Sequence, residues 1–249
     1  GEKKMIFLLP PSESKQTGGT SSKIELSFPS LDKARGLIRK ALIELSKNPK
    51  AAASALKLGP KQVGELEVNL ELAKPKTMPA IDRYTGVLYD ALKLEGLSSA
   101  QQKRAKQAVF IQSSLFGLIG ALDEIPNYRL SAGSKLPGIN LRSEWSKAHE
   151  PVWQEFSGEI VIDLRSKAYA QLAPIPEGIN SFEVEVVSQD ANGARKALNH
   201  FNKQAKGSFV RAALSAKTEL EKPSDLKAIA KIAGLRLELH GKTLLLITN

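Results

Sequence analysis

The chain has 249 residues, of which 42% are hydrophobic and 25% are charged, as in ordinary globular proteins. The absence of cysteine excludes disulfides, thiolate metal sites, iron–sulfur clusters and a cysteine nucleophile. Its 36 lysines and arginines outnumber 26 acidic residues, and the net charge of +10 favours polyanionic partners such as nucleic acid, although surplus charge also serves solubility alone.

The N-terminal apolar run is short. Met5–Leu9 is stopped by Pro10 and Pro11, so it predicts a buried strand and not a signal peptide core. No apolar run approaches the roughly 18 residues of a membrane span. We therefore expect a cytoplasmic protein without a membrane partner.

Helical periodicity governs the first half of the chain, after a polar loop at residues 10–22. The apolar residues of the first helix recur at helical spacing. Ser98 and Gln101 match a capping box at the start of the last one. Helices are predicted at residues 31–45, 51–58, 63–72, 83–94 and 98–107.

The second half mixes strands with helices. Because the two do not alternate regularly, the sequence predicts the α+β class, with one compact domain over residues 1–249 and a helical first half. A basic stretch predicts a long helix at residues 194–216, with a break near Gly207 as the alternative. The other predicted elements are strands at 108–111, 159–163 and 182–187, helices at 144–156 and 224–234, and a final hairpin of 235–239 with 243–247.

Residues 51–73 resemble a helix–hairpin–helix element, in which two short helices flank a turn, here at Gly59 and Pro60. Backbone N–H groups and lysines of such an element contact phosphate oxygens without reading base sequence. Lys57, Gly59 and Lys61 are therefore candidate nucleic-acid contacts, and a plain turn between helices is the alternative. Motifs for nucleoside triphosphates, dinucleotides, zinc proteases and serine hydrolases are absent from the sequence.

A second basic region, residues 195–217, holds six basic residues and no acidic one. On a helix, Lys203 and Lys206 would share a face close to His200 and Asn202. This arrangement predicts a phosphate contact through the two lysines, and a solvated helix face is the alternative.

Polar side chains gather where predicted strands end. Ser12, Glu13 and Lys15 follow the first strand, and loops in this position often bind ligands. Glu13, Asp82 and His200 are candidate general acids or bases. We expect these groups to converge on a cation-rich pocket, whereas internal pairing would make them only part of a stable core. The predicted pocket comprises Ser12, Glu13, Lys15, Asp82, Tyr84, Arg129, Ser131, Asp163, Arg165 and Asn202.

Motifs spread over nearly the whole chain resemble the YaaA family of bacterial peroxide-stress response proteins. They are LLPPSESK at 8–15, LSFP at 26–29, AIDRYTGVLYDAL at 80–92, SLFGL at 114–118, IPNYRLSAG at 125–133, DLRSKAY at 163–169 and HFNKQAKG at 200–207.

The resemblance implies a cytosolic protein that limits oxidative damage to DNA and protein and is associated with lower free intracellular iron. It also implies an unusual mixed fold that contains a helix–hairpin–helix element at residues 57–63. A basic cleft is implied as well, lined by Lys15, Arg129, Arg165, Lys203 and Lys206.

The first hypothesis is a monomeric DNA-binding stress protein that binds duplex or locally opened DNA without sequence specificity. Phosphate contacts would then dominate affinity, which would fall steeply with salt. Tyr84, Tyr128 or Phe201 would stack on unpaired bases.

The second hypothesis is an enzyme that acts on a nucleobase, nucleoside or nucleotide, with Glu13 or Asp82 as general base and lysines as phosphate clamps. A third, iron binding by Glu13, Asp82, Asp163 and His200, is opposed by the surrounding positive charge. We expect neither a resident metal nor a cofactor.

Overall fold

The structure is a computed structural model that describes residues 4–197 and 201–248. It has a mixed α/β fold. The strands are β1 Met5–Leu9, β2 Thr77–Pro79, β3 Val109–Ser113, β4 Gly117–Gly120, β5 Glu124–Pro126, β6 Ile160–Asp163, β7 Asn180–Gln189, β8 Arg195–Ala197, β9 Arg236–His240 and β10 Thr243–Thr248.

Helices are distributed along the whole chain. They are α1 Asp32–Ser46, α2 Pro49–Ala55, α3 Leu66–Leu70, α4 Ala80–Arg83, α5 Val87–Leu92, α6 Ser99–Ala108, α7 Leu141–Ala148, α8 Glu150–Gln154, α9 Lys167–Ala170, α10 Phe201–Leu214 and α11 Leu226–Ile232. Short 3-10 turns occur at Pro29–Leu31, Pro60–Glu65, Glu71–Ala73 and Pro223–Asp225. No helix in the described part of the chain is both long and apolar enough to cross a membrane.

One large mixed sheet carries the core. Its order is β4-β3-β1-β6-β7-β10-β9, with β8 paired to β7, and β2 and β5 form a separate small sheet. The five central strands β3, β1, β6, β7 and β10 are parallel, whereas β4 and β9 are antiparallel edge strands. Every residue of Met5–Leu9 is buried, as a strand inside a parallel sheet requires.

The chain reverses its direction of travel across the sheet beside β1. From β1 it proceeds to β3 on one side, and later it returns to β6 on the other side. The connections that follow β1 and β6 therefore lead to opposite sides of this pair of strands. Ligands of open α/β sheets bind in the crevice at such a switch point.

Most predicted elements are confirmed, among them β1, α1, the final hairpin and the capping box of Ser98 with Gln101. The predicted helix at 83–94 is interrupted by Gly86, whose φ of +107° is incompatible with a continuous helix. The parallel arrangement of the central strands was not predicted, because the connections between them are too long and varied to show a regular rhythm.

The long basic helix predicted at 194–216 is wrong. Arg195–Ala197 forms β8, and α10 begins only at Phe201 and continues through Gly207 without a break. Arg195 makes two hydrogen bonds to the carboxylate of Glu238, at 2.8 and 2.6 Å. The basic stretch contains no acidic residue, and Glu238 of β9 supplies the negative charge that pairs with Arg195. Spacing along the sequence did not reveal this pairing.

Residues 51–73 contain the end of α2, a connecting loop, the 3-10 turn Pro60–Glu65 and α3. The one continuous helix predicted at 63–72 is therefore divided between the 3-10 turn and α3. The left-handed residue of the connection is Lys57, with a φ of 55°, whereas Gly59 is extended. Pro60 favours the first position of the following helical turn because its φ is already restricted.

Gly207 sets the distance between α10 and α5. A Cβ atom at this position would lie 2.2 Å from the carbonyl oxygen of Leu88 and 2.9 Å from the Cβ of Ala91. The two helices therefore pack with backbone against backbone, which only glycine permits here.

We expect Gly207→Ala to lower the melting temperature by roughly 4–8 °C, which corresponds to about 2 kcal/mol of overpacking. Gly36→Ala is the matched control, because Gly36 also lies inside a helix but a Cβ there meets nothing within 4 Å. That variant should gain about 0.5–1 kcal/mol. Thermal unfolding followed by circular dichroism measures both, and equal shifts would contradict the close helix contact.

Candidate functional site

A cavity of about 550 Å³ opens beside the loop that follows β1. Three separate segments form its walls: this loop, the element at residues 51–73, and the segment after β5. The lining residues are Glu13, Ser14, Lys15, Thr17, Gln62, Glu65, Val68, Asn127, Tyr128 and Arg129.

Lys15 occupies the wall of this cavity. Its ammonium lies 4.3 Å from the centroid of the Tyr128 ring and 5.8 Å from that of Tyr84. It also donates a 3.3 Å hydrogen bond to the backbone carbonyl of Glu13. Burial lowers the pKa of Lys15 to about 8. The negative charge of Glu13 raises the pKa and offsets only part of this effect, whereas the positive charge of Arg129 lowers it further. This lysine therefore gives up its proton more readily than an exposed lysine.

The Glu13 carboxylate is held by a tyrosine from the other side of the switch point. Tyr169, which lies in α9 just after β6, donates a 2.8 Å hydrogen bond from its hydroxyl to Oε1 of Glu13. Burial, and after it the charge of Glu13, raise the pKa of Tyr169 far above its usual value. The loops after β1 and β6 thus meet in a carboxylate–phenol pair.

A chain of buried hydroxyl groups lies behind Lys15. The hydroxyls of Tyr84 and Tyr128 are 2.7 Å apart, and that of Tyr128 is 2.9 Å from Oγ of Ser113. Burial raises the pKa of Tyr128 to about 12. Because Tyr84 is 1% and Tyr128 2% exposed, the prediction that they stack on bases is wrong, whereas Phe201 is 60% exposed and available.

Arg165 makes its hydrogen bonds inside the protein. It donates to both carboxylate oxygens of Asp163, at 2.9 and 3.0 Å, and also to Gln112 Oε1 and the carbonyl of Ala173. With 6% exposure, this guanidinium stabilises the loop after β6. The prediction that it lines a basic cleft is therefore wrong.

Gln112 continues this network into the core. Its amide nitrogen lies 3.1 Å from Nε2 of His149, which also accepts the backbone N–H of Leu118 at 3.2 Å. The Nδ1 atom of His149 lies 2.7 Å from the carbonyl of Trp145, so the ring is neutral and protonated on Nδ1. Burial lowers the pKa of His149 to about 4.

The residues predicted on the basic helix differ in exposure. Lys203 is exposed, but Lys206 is 7% exposed, and burial lowers its pKa against the opposing charges of Asp163 and Glu183. Oδ1 of Asn202 is buried and lacks a hydrogen-bond partner among the described residues. The candidate catalytic residue His200 lies outside the described residues.

The other predicted pocket residues converge only in part. Arg129 lines the cavity and forms a 3.0 Å ion pair with Glu65. Oγ of Ser12 accepts a 3.2 Å hydrogen bond from the backbone N–H of Ser14. The backbone N–H of Ser131 donates to Oγ of Ser134 within the same turn. Asp82 is exposed and lines a different depression.

Several side chains of the site were missed by sequence reasoning, among them Tyr169, which binds Glu13. Asn69 pairs with the backbone of Arg129 through both its amide atoms, at 3.0 and 2.7 Å, and thereby anchors the element at residues 51–73 to the cavity wall. Gln112 links Arg165 to His149. Asn69 stands between Val68 and Leu70, and Gln112 follows the apolar run at 109–111; a polar residue next to apolar ones was the available signal.

The lysines of this element face solvent. Lys57 and Lys61 are exposed, and the ammonium of Lys57 lies 3.5 Å from the place that a Cβ on Gly133 would occupy. The N–H of Gly59 already donates to Oε1 of Gln62 at 3.0 Å. The Gly59 amide is therefore already engaged within the turn.

The proposed iron ligands do not gather. Across residues 4–197 and 201–248, no three histidine or acidic side chains are placed where they could hold a metal ion. Glu13 and Asp82 line different depressions, and Asp163 is engaged by Arg165.

The buried neutral His149 predicts a loss of stability in acid. Since its pKa falls from an ordinary 6.5 in the unfolded chain to about 4 in the fold, the unfolded state binds the extra proton between these pH values. The contribution of His149 to the free energy of unfolding should therefore fall by roughly 1.4 kcal/mol per pH unit below pH 6.5 and level off below pH 4. Urea titrations across this pH range give the free energy of unfolding as a function of pH. His149→Gln should reduce the slope of this dependence by the equivalent of one bound proton, and an unchanged slope would contradict the role of His149.

Comparison with known proteins identifies the family. A family model described as "Peroxide stress protein YaaA" matches residues 5–240. A UPF0246 protein of Corynebacterium glutamicum strain R is 39% identical over 98% of this chain and 100% of the relative, and one of Streptomyces coelicolor is 38% identical over 94% and 92%. A UPF0246 protein of Shewanella woodyi is 26% identical over 86% of this chain and 87% of its own. The resemblance predicted from the sequence motifs is confirmed, and the chain belongs to the peroxide stress protein YaaA family.

Proposed function

We propose that this protein binds DNA without sequence specificity and protects it under peroxide stress, with residues 51–73 acting as a helix–hairpin–helix element. The observation that carries the proposal is the attachment of this element to the cavity. Asn69 ties it to Arg129, and its Gln62 and Glu65 form one cavity wall. A DNA strand held at Lys57 and Lys61 would therefore lie at the cavity rim.

The charge of the two lysines supports phosphate binding. Neither Lys57 nor Lys61 forms an ion pair within 4.0 Å with any other residue in the described ranges. Free ammonium groups release bound counterions when they neutralise phosphates, and this gives affinity without base recognition.

A preference for locally opened DNA is supported by Phe201. It is 60% exposed at the start of α10. A solvent-exposed aromatic ring offers a stacking surface to an unpaired base. Duplexes that contain a bubble should therefore bind more tightly than continuous duplexes.

The physiological part of the proposal follows what the motif resemblance to the family implies. We propose a cytoplasmic, monomeric, single-domain protein that limits oxidative damage to DNA and protein and is linked to lower free iron. The link to iron would be indirect, because the described residues supply no ligand cluster.

Fluorescence anisotropy with duplex, bubble and single-stranded DNA across a salt series tests the proposal. We expect the logarithm of Kd to rise linearly with the logarithm of salt concentration. Lys57→Glu combined with Lys61→Glu should abolish binding at physiological salt and reduce the slope by about two at low salt.

The matched control is Lys33→Glu combined with Lys40→Glu, which changes the net charge equally at two exposed positions of α1. It should retain most of the affinity. An equal loss in both double variants would show that net charge, and not the element at residues 51–73, determines binding. Failure of all three DNAs to bind at low salt would refute the proposed function.

A second candidate function is an enzyme that acts on a nucleobase, nucleoside or nucleotide. One observation favours it: Lys15, Glu13 and Tyr169 place an amine, a carboxylate and a phenol together beside an open cavity. Phosphate binding alone needs only cations, so this cluster offers more chemistry than a DNA clamp requires.

A further inference from the structure

Lys15 combines two properties that rarely occur together in a surface lysine. Its ammonium lies against the ring face of Tyr128, at 4.3 Å from the centroid, yet it lines an open cavity of about 550 Å³. Among the residues described by the structure, no carboxylate approaches it within 4.0 Å, and the carbonyl of Glu13 is its hydrogen-bond acceptor.

These surroundings favour the neutral amine. A lysine must lose its proton before its nitrogen can attack a carbonyl carbon, and desolvation promotes that loss. Burial lowers the pKa of Lys15 to about 8, and the nearby charge of Arg129 acts in the same direction. Glu13, Glu65 and Arg83 are the other charged groups that act on it, and the two carboxylates oppose the shift.

A group that can move protons lies in the same loop as the amine. The Glu13 carboxylate is more than 4.0 Å from the amine, but its charge acts on Lys15, and it accepts the hydroxyl of Tyr169 at 2.8 Å. An acid–base group that reaches the reacting nitrogen through one water molecule serves formation and dehydration of a carbinolamine.

We propose that Lys15 forms a Schiff base with an aldehyde carried on a DNA strand, namely the ring-opened deoxyribose of an abasic site. The amine nitrogen attacks the aldehyde carbon and gives a carbinolamine. Loss of one water molecule, with Glu13 positioned to accept and return the proton, yields the imine. No oxidant or reductant is consumed.

The choice of this aldehyde rests on the proposed DNA-binding function. The element that carries the exposed Lys57 and Lys61 lines the same cavity as Lys15, so phosphates held there would place the sugar between them near Lys15. A sugar that has lost its base is small enough to enter the cavity without unpairing a neighbour.

Trapping with cyanoborohydride tests the inference on the full-length protein. The probe is a duplex with one aldehydic abasic site, and the same duplex with a tetrahydrofuran residue, which lacks the aldehyde, serves as the reference. We expect a covalent adduct with the first duplex only, and peptide mass spectrometry should locate it on Lys15. Lys15→Arg should reduce the adduct about ten-fold or more, because a guanidinium does not form the imine.

The control is Lys47→Arg, which changes an exposed lysine paired with Glu44 and should trap as the wild type does.

Anisotropy with the tetrahydrofuran duplex separates the proposed DNA binding from the proposed Schiff base on Lys15. Binding without an adduct, an adduct spread over many lysines, or an undiminished adduct in Lys15→Arg would overturn the role of Lys15 alone. Absence of binding would refute the DNA-binding function and this inference with it. If Lys15→Arg does not fold, the modified position in the wild-type adduct decides.

Discussion

The parallel pairing of β1 with β6 aligns Leu8 with Asp163, and every feature of the candidate site depends on this register. The backbone N–H of Leu164 continues the ladder by donating to the carbonyl of Leu8 at 2.8 Å. The two loops then leave the sheet at the same height. Glu13 from one and Tyr169 from the other can therefore meet, although the sequence separates them widely. A slip of one residue would exchange the faces of the strand and disperse the site.

Much of the positive charge that directs attention to nucleic acid serves the fold instead. Arg35 is 5% exposed and donates to carbonyls of Phe116 and Leu118, among others, and Arg83 is fully buried and binds the carbonyls of Gln16 and Ile125. Arg165 is engaged in the same manner. The charge available to a ligand is therefore smaller and more localised than the composition suggests, and it lies on lysines such as Lys57 and Lys61.

Local features were predictable from the sequence, and long-range pairings were not. The apolar run of β1 and the capping box at Ser98 are determined by neighbouring residues, so both were predicted correctly. Arg195 was wrongly assigned to a helix. Its partner Glu238 lies in β9, far along the chain, and local sequence does not reveal a pairing at that distance. The loop of Glu13 and Lys15 was recognised as a candidate site. The sequence could not show that Asp82 lines a different depression from Glu13 and Lys15, because this depends on how the chain packs in three dimensions.

The attachment of residues 51–73 through Asn69 has a consequence for divergence within the family. Asn69 bonds only backbone atoms of residue 129, so these two hydrogen bonds do not depend on which side chain stands there, whereas the ion pair of Arg129 with Glu65 does. Mutation at this position can therefore change the polarity of the cavity and remove the ion pair while the two contacts of Asn69 remain. The chemistry of the cavity wall and the backbone attachment through Asn69 can thus vary independently at this point of the molecule.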